Sequence, residues 1–104
     1  MNLRETVDSI LRDSSINVKS DGFRVDANSE PFVIVTPYGK DYSVYVNIFT
    51  PIRFCINRHS QLSIDVVNIL CDRVVPGIGV IKGGYKADAE NITCFFKSAL
   101  TFYV

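Results

Sequence analysis

The chain holds one histidine, His59, so any relay of nucleophile, imidazole and acid has to pass through it. No serine stands in a G-x-S-x-G elbow. Cys55 lies four residues before His59, a spacing that brings thiol and imidazole together on a helix. The residues around the pair read instead as a loop or a short edge segment. A reactive thiol also needs an electropositive setting, so the expectation is buried cysteines and a solvated histidine. As metal ligands, Cys55, His59, Cys71 and Cys94 include no C-x-x-C pair, and Cys71 falls in a helical stretch while Cys94 falls in an extended one. The glycines of Pro76-Gly77-Ile78-Gly79-Val80-Ile81-Lys82-Gly83-Gly84 resemble a phosphate loop only superficially. No G-K-[ST] follows and no helix starts there, so they read as turns and strand ends. Asp65 and Asp72 are most simply the wet side of a helix. Catalysis, cofactors and metal are not expected.

The stretch from Arg53 to His59 interleaves basic and apolar residues. Such a patch suits stacking on single-stranded nucleic acid or a protein interface, where arginine and aromatics are enriched. Overall charge decides between them. Eleven basic residues balance eleven acidic ones, so no chain-wide positive field is available and sequence-specific nucleic-acid binding is not expected. A near-neutral surface resists association poorly, which suits an assembly component. Three widely spaced cysteines are no disulfide framework and fit a reducing compartment. The opening residues carry charges throughout, without the apolar core of a signal peptide. No apolar run is long enough for a bilayer span, and the sequon Asn91-Ile92-Thr93 matters only in a secreted protein.

At 104 residues the chain suits one domain, 1–104, burying about 65% of its extended surface. Leu3, Val7, Ile10 and Leu11 predict an amphipathic first helix, capped by Asn2 with Glu5 three residues on and ended by Asp13-Ser14-Ser15. Ile16–Lys19 and Phe23–Val25 read as a hairpin around Asp21-Gly22. Pro31 to Pro37 is an apolar strand bracketed by prolines, and Tyr38-Gly39-Lys40-Asp41 is a turn. In the next strand, Tyr42 to Phe49, Val44, Val46 and Ile48 share one face and Ser43, Tyr45, Asn47 and Phe49 the other. Ile52, Phe54 and Ile56 suit a loop or an edge strand.

A second helix is predicted from about Gln61, with Leu62, Val66, Ile69, Leu70 and Arg73/Val74 on one stripe. Ser60 or Ser63 caps it and Pro76-Gly77 ends it. A short strand follows over Ile78–Ile81, then a loop over Lys86–Asn91. The closing alternation puts Ile92, Cys94, Phe96, Ser98, Leu100, Phe102 and Val104 on one face and Thr93, Phe95, Lys97, Ala99, Thr101 and Tyr103 on the other. The architecture expected is α+β: an antiparallel or mixed sheet of about five to six strands with two helices packed on one face. The opposite face then carries Tyr45, Phe49, Phe95 and Tyr103, more aromatic surface than a solvated face needs.

Three local patterns add a resemblance: Glu30-Pro31-Phe32-Val33-Ile34-Val35; Tyr45-Val46-Asn47-Ile48-Phe49-Thr50-Pro51 leading to the second helix; and Gly84-Tyr85-Lys86-Ala87-Asp88-Ala89 followed by Phe95 to Val104. With this order of elements the chain resembles the tail terminator, or tail completion, proteins of long-tailed bacteriophages. The resemblance covers most of the chain, although the loop between the middle strands is compressed. It implies a structural virion protein of the tail and neck, assembled in the host cytoplasm. Such a protein forms a ring, typically a homohexamer, that caps the tail tube and meets the head-completion or connector protein. The contact residues implied are Tyr38, Lys40 and Asp41 in one loop and Arg53, Phe54 and Arg58 in another, with Tyr45, Phe49, Phe95 and Tyr103 on the sheet. The rival readings are a monomeric module binding a host or partner protein, and a small-ligand domain with the sheet face as pocket floor.

Overall fold

The computed structural model describes residues 2–26, 28–39, 42–86, 90–92 by backbone path, and 94–104. The first helix, α1 (Leu3–Asp13), begins where the Oδ1 of Asn2 accepts the Glu5 N–H at 2.8 Å. Its side chains Leu3, Val7 and Leu11, four residues apart, are fully buried, each burial favouring the fold by about 1.5–3 kcal/mol. Ser15 stops the chain in a left-handed turn, φ 66°.

The strands are β1 (Phe32–Pro37), β2 (Ser43–Pro51), β3 (Val74–Val75), β4 (Gly79–Val80), β5 (Lys82–Lys86), β6 (Glu90–Ile92) and β7 (Phe95–Tyr103), with α2 (Ile56–Leu70) between β2 and β3. The main sheet is five-stranded and antiparallel, in the order β1-β2-β7-β5, with β6 also pairing β7; β3 and β4 form a separate ribbon. The period-2 pattern sets the register. Val35, Val46 and Leu100 line up across three strands, as do Thr36, Tyr45 and Thr101. The first row is buried, with Val33, Val44, Ile48 and Phe102, against both helices: α1 packs on β1 and β2, and α2 on β2 and β7. The fold is therefore α+β with both helices on one sheet face.

Several local expectations are corrected. No hairpin forms at Asp21-Gly22. Val18 makes a single parallel bridge to Val33, and Phe23 leaves the extended path to set its ring edge-on against Phe32, centroids 5.1 Å apart. The second helix starts at Ile56, so Ile52, Phe54 and Ile56 form a turn and a helix start, not an edge strand. Cys55 is its N-cap and makes no side-chain bond, while Ser63 is buried within it. It ends at Leu70; Arg73 and Val74 lie beyond, and Pro76-Gly77 turns β3 into β4. Asp72 is left-handed (φ 63°) in the turn after the helix. The closing run is split, because Cys94 turns at φ 67° between β6 and β7.

Candidate protein-interaction surfaces

The sheet face away from the helices is built by the alternate residues of each strand. Across it run Ser43–Tyr103–Lys82, then Thr36–Tyr45–Thr101–Tyr85, then Ile34–Asn47–Ala99, then Phe32–Phe49–Lys97, then Pro51–Phe95. The register therefore brings Tyr45, Phe49, Phe95 and Tyr103 onto one face. It also segregates them. All five tyrosines gather at one end: Tyr38 and Tyr42 bracket the β1–β2 turn, beside Tyr45, Tyr85 and Tyr103. Tyr85 is 70% exposed, and Tyr38, Tyr42 and Tyr103 are also exposed. Tyr38 and Tyr45 touch, with ring centroids 4.4 Å apart. Partial burial and the Tyr38 hydroxyl push the Tyr45 phenol above its ordinary value.

The phenylalanine end is different. Phe49 stacks on Phe32 at 5.0 Å and 11°, and Phe23 closes over Phe32, whose own exposure is 1%. The Lys19 ammonium lies 5.0 Å from the centroid of the Phe23 ring. The segment before β1 thus covers part of the face that two helices alone leave open, and Phe49 is held within the chain. Phe95 is half-buried beside a hollow of about 420 Å³ shared with Val25, Ile52, Arg53 and Cys94.

The Arg53–His59 stretch lies at the far end of β2 from the tyrosines, about 27 Å along a nine-residue strand. Arg53 and Arg58 both approach the Phe54 ring, at 4.3 and 5.2 Å from its centroid. The two guanidiniums differ in their attachments. Arg53 donates from Nη2 to the Ser29 carbonyl at 2.8 Å and the Asn28 carbonyl at 3.3 Å, and pairs with Glu30 at 3.7 Å. It fastens the turn after β2 to the loop before β1. Arg58 projects from the first turn of α2 into a cleft lined by Glu30, Gln61 and Asp65. Lys40 and Asp41 lie outside the described residues.

The cysteine and histidine expectations are reversed. Cys55 and Cys94 are exposed and Cys71 is half-buried, whereas His59 is 0% exposed. The imidazole bridges two strands, with Nδ1 2.8 Å from Thr50 Oγ1 on β2 and Nε2 2.7 Å from Ser98 Oγ on β7. For a neutral ring, one hydroxyl donates to the bare nitrogen and the other accepts the N–H. Burial, then the Lys86 ammonium, holds its proton affinity below the ordinary histidine value. A serine on an imidazole has the look of a nucleophile and its base, but Ser98 is 1% exposed, so no substrate reaches it. The contact ties α2 to the sheet. Only the helix phase of Ile56–Leu70 would have revealed it in the sequence, through the stripe His59, Ser63, Val66, Leu70. Among the described residues no group of histidine, cysteine or carboxylate side chains is placed to hold a metal ion, and no helix is long and apolar enough to cross a membrane.

No family model and no curated protein matches the chain. Among solved structures, one chain that carries no functional description is similar, with a TM-score of 0.53 at 11% identity. The match covers 97% of this chain and 84% of that one, and it supports the fold alone.

Proposed function

We propose that this chain is a structural subunit that assembles by its side-chain faces, of the tail terminator type: a homo-oligomeric ring, six-membered as in that family, capping a tail tube and meeting a head connector. The observation that carries the reading is the one-sided helix layer. It leaves the tyrosine end of the sheet open, an aromatic patch that a lone chain seldom exposes. Tyrosines of this kind dominate protein interfaces, because they bury large rigid surfaces and keep a hydroxyl for bonding.

The sheet edges favour contact by faces over added strands. The outer edge of β1 is taken at Val33 by Asn17 and Lys19 and ends in Pro37, which has no N–H to offer. At the other edge, β5 is broken by a bulge between Gly83 and Tyr85 and begins and ends in a lysine, Lys82 and Lys86. A head-to-tail contact repeated by rotation closes into a ring. In this reading the tyrosine end supplies the subunit contact, with Tyr38, Tyr45 and Tyr103. Phe54 and Arg58, about a strand length away, face the tube or connector.

The test is light scattering and negative-stain microscopy of the purified chain, alone and with tail tubes. Rings, or single rings on tube ends, are expected. Tyr45→Ser with Tyr103→Ser should keep the circular dichroism of the native chain and lose the ring. Arg58→Glu should keep the ring and lose the tube or connector. Arg53 is a poorer probe, because its substitution also frees the Asn28–Glu30 loop. A chain that stays monomeric in the presence of tubes overturns the proposal and favours a monomeric binding module.

A further inference from the structure

We infer that His59 is an acid-sensitive latch on the first turn of α2, holding Phe54 and Arg58 in place while neutral and releasing them when the imidazole is protonated.

The start of α2 lacks the usual local fastenings. Its N-cap, Cys55, makes no side-chain hydrogen bond, and no acidic residue stands in the first turn to meet the positive end of the helix. The fastening comes from His59, whose ring nitrogens bond Thr50 on β2 and Ser98 on β7. Its backbone carbonyl accepts from the Ser63 hydroxyl at 3.1 Å. One buried ring therefore holds the turn to both central strands.

Nothing described around that ring welcomes a positive charge. From β2 it faces the Thr50 hydroxyl; from β7, the Ser98 hydroxyl and the Phe96 ring, 6.0 Å away; from β5, the Lys86 ammonium acts on it. From α2 itself comes the positive end of the helix, which no acidic residue of the first turn offsets. Among the described residues His59 pairs with no carboxylate. Each of these described neighbours is neutral or positive, and the ring is out of contact with water, so a proton is accommodated among them only if the ring leaves its seat. The first turn of α2 then loses its hold on the sheet. Arg58, one residue away, parts from the Phe54 ring, while Arg53 stays anchored on the Ser29 carbonyl. The loosening is a property of this chain alone; its effect on docking rests on the ring reading above.

Amide exchange with an imidazole titration by NMR on the whole chain tests the latch. From about pH 7 to about pH 5, protection at Ser60 to Ile64 should fall by about tenfold or more, while Val46, Ile48 and Leu100 stay protected. The fall should track proton uptake by His59, and His59→Gln should abolish it. Unchanged protection, loss at a pH where the imidazole is still neutral, or simultaneous loss across β2 and β7 overturns the latch. So does the same fall in His59→Gln; if that variant does not fold, the wild-type titration decides alone. A latch that opens while binding to tubes or connector is unaffected supports the latch and removes Phe54 and Arg58 from the docking surface.

Discussion

Ser98 Oγ lies 2.7 Å from the Nε2 of His59, a bond that spans 39 residues of chain and closes the helix layer onto the last strand. Both groups are buried, so neither has water as an alternative partner. Ser98→Ala should therefore cost about 1–3 kcal/mol in denaturant unfolding. His59→Ala should remove the same bond, making the double variant less damaging than the sum of the two singles. Additive losses would mean that the hydroxyl and the imidazole do not depend on each other. The sign with pH follows from the lowered proton affinity of the folded ring. Below about 6.5 the unfolded chain takes up a proton that the seated native ring refuses, so stability falls by up to about 1.4 kcal/mol per pH unit until the native ring is itself protonated, and is restored above that window.

Leu70 and Asp72 stand two residues apart in opposite environments. Leu70 is fully buried at the end of α2, and Leu70→Ala should cost about 2–5 kcal/mol. Asp72 is exposed in the turn that follows and meets the Lys82 ammonium at 2.9 Å. Asp72→Asn keeps a side chain that tolerates the left-handed backbone and should cost less than about 1 kcal/mol. Equal shifts in the urea midpoint would contradict this placement of the helix end.

Gly83 has a backbone reason to be glycine. Its φ is 115°, and a Cβ would meet the Thr101 carbonyl oxygen and stand 3.0 Å from the Phe102 Cα. Gly83→Ala must push β5 off β7 and should cost at least about 1–3 kcal/mol, measured as a lowered melting temperature. By contrast Gly22, also left-handed, has open space around it. Gly22→Asn should be tolerated within about 1 kcal/mol.

The thiols are distinguishable by accessibility. Cys55 and Cys94 are exposed and should react first with an aromatic disulfide reagent, with half-buried Cys71 slower. Three equal rates, or one fast and two slow, would contradict the structure. Cys55→Ser and Cys94→Ser should leave the melting temperature unchanged within a few degrees, as surface changes do.

What the sequence made legible follows from what its patterns encode. Along β2 and β7 every second residue falls on one face, and that period of two grouped Val44, Val46 and Ile48, and Leu100 with Phe102, before any pairing was known. The first turn of α2 was hidden because its buried stripe is His59, Ser63, Val66 and Leu70, half of it polar. Hydrophobic periodicity cannot register a core position filled by a hydrogen-bonded imidazole. Asp21-Gly22 misled for the opposite reason. The dipeptide permits a hairpin, but the chain instead sets the Phe23 ring edge-on against Phe32. The crowding of the tyrosines at one end was invisible, since it depends on which strands are neighbours and in what register.

That crowding has a spectroscopic consequence. The chain has no tryptophan, so its ultraviolet emission comes from its five tyrosines, and all of them stand at one end of one sheet. Emission intensity and anisotropy therefore report on that end and are nearly blind to the helix layer and the Phe54 turn. A titration that quenches this light without changing the far-ultraviolet dichroism has located a contact to within a few side chains, with no label attached. An unfolding curve followed by emission records when the β1–β2 turn and the tail of β7 come apart, and its coincidence with the dichroism curve is a direct measure of how cooperatively the two ends of the sheet are joined.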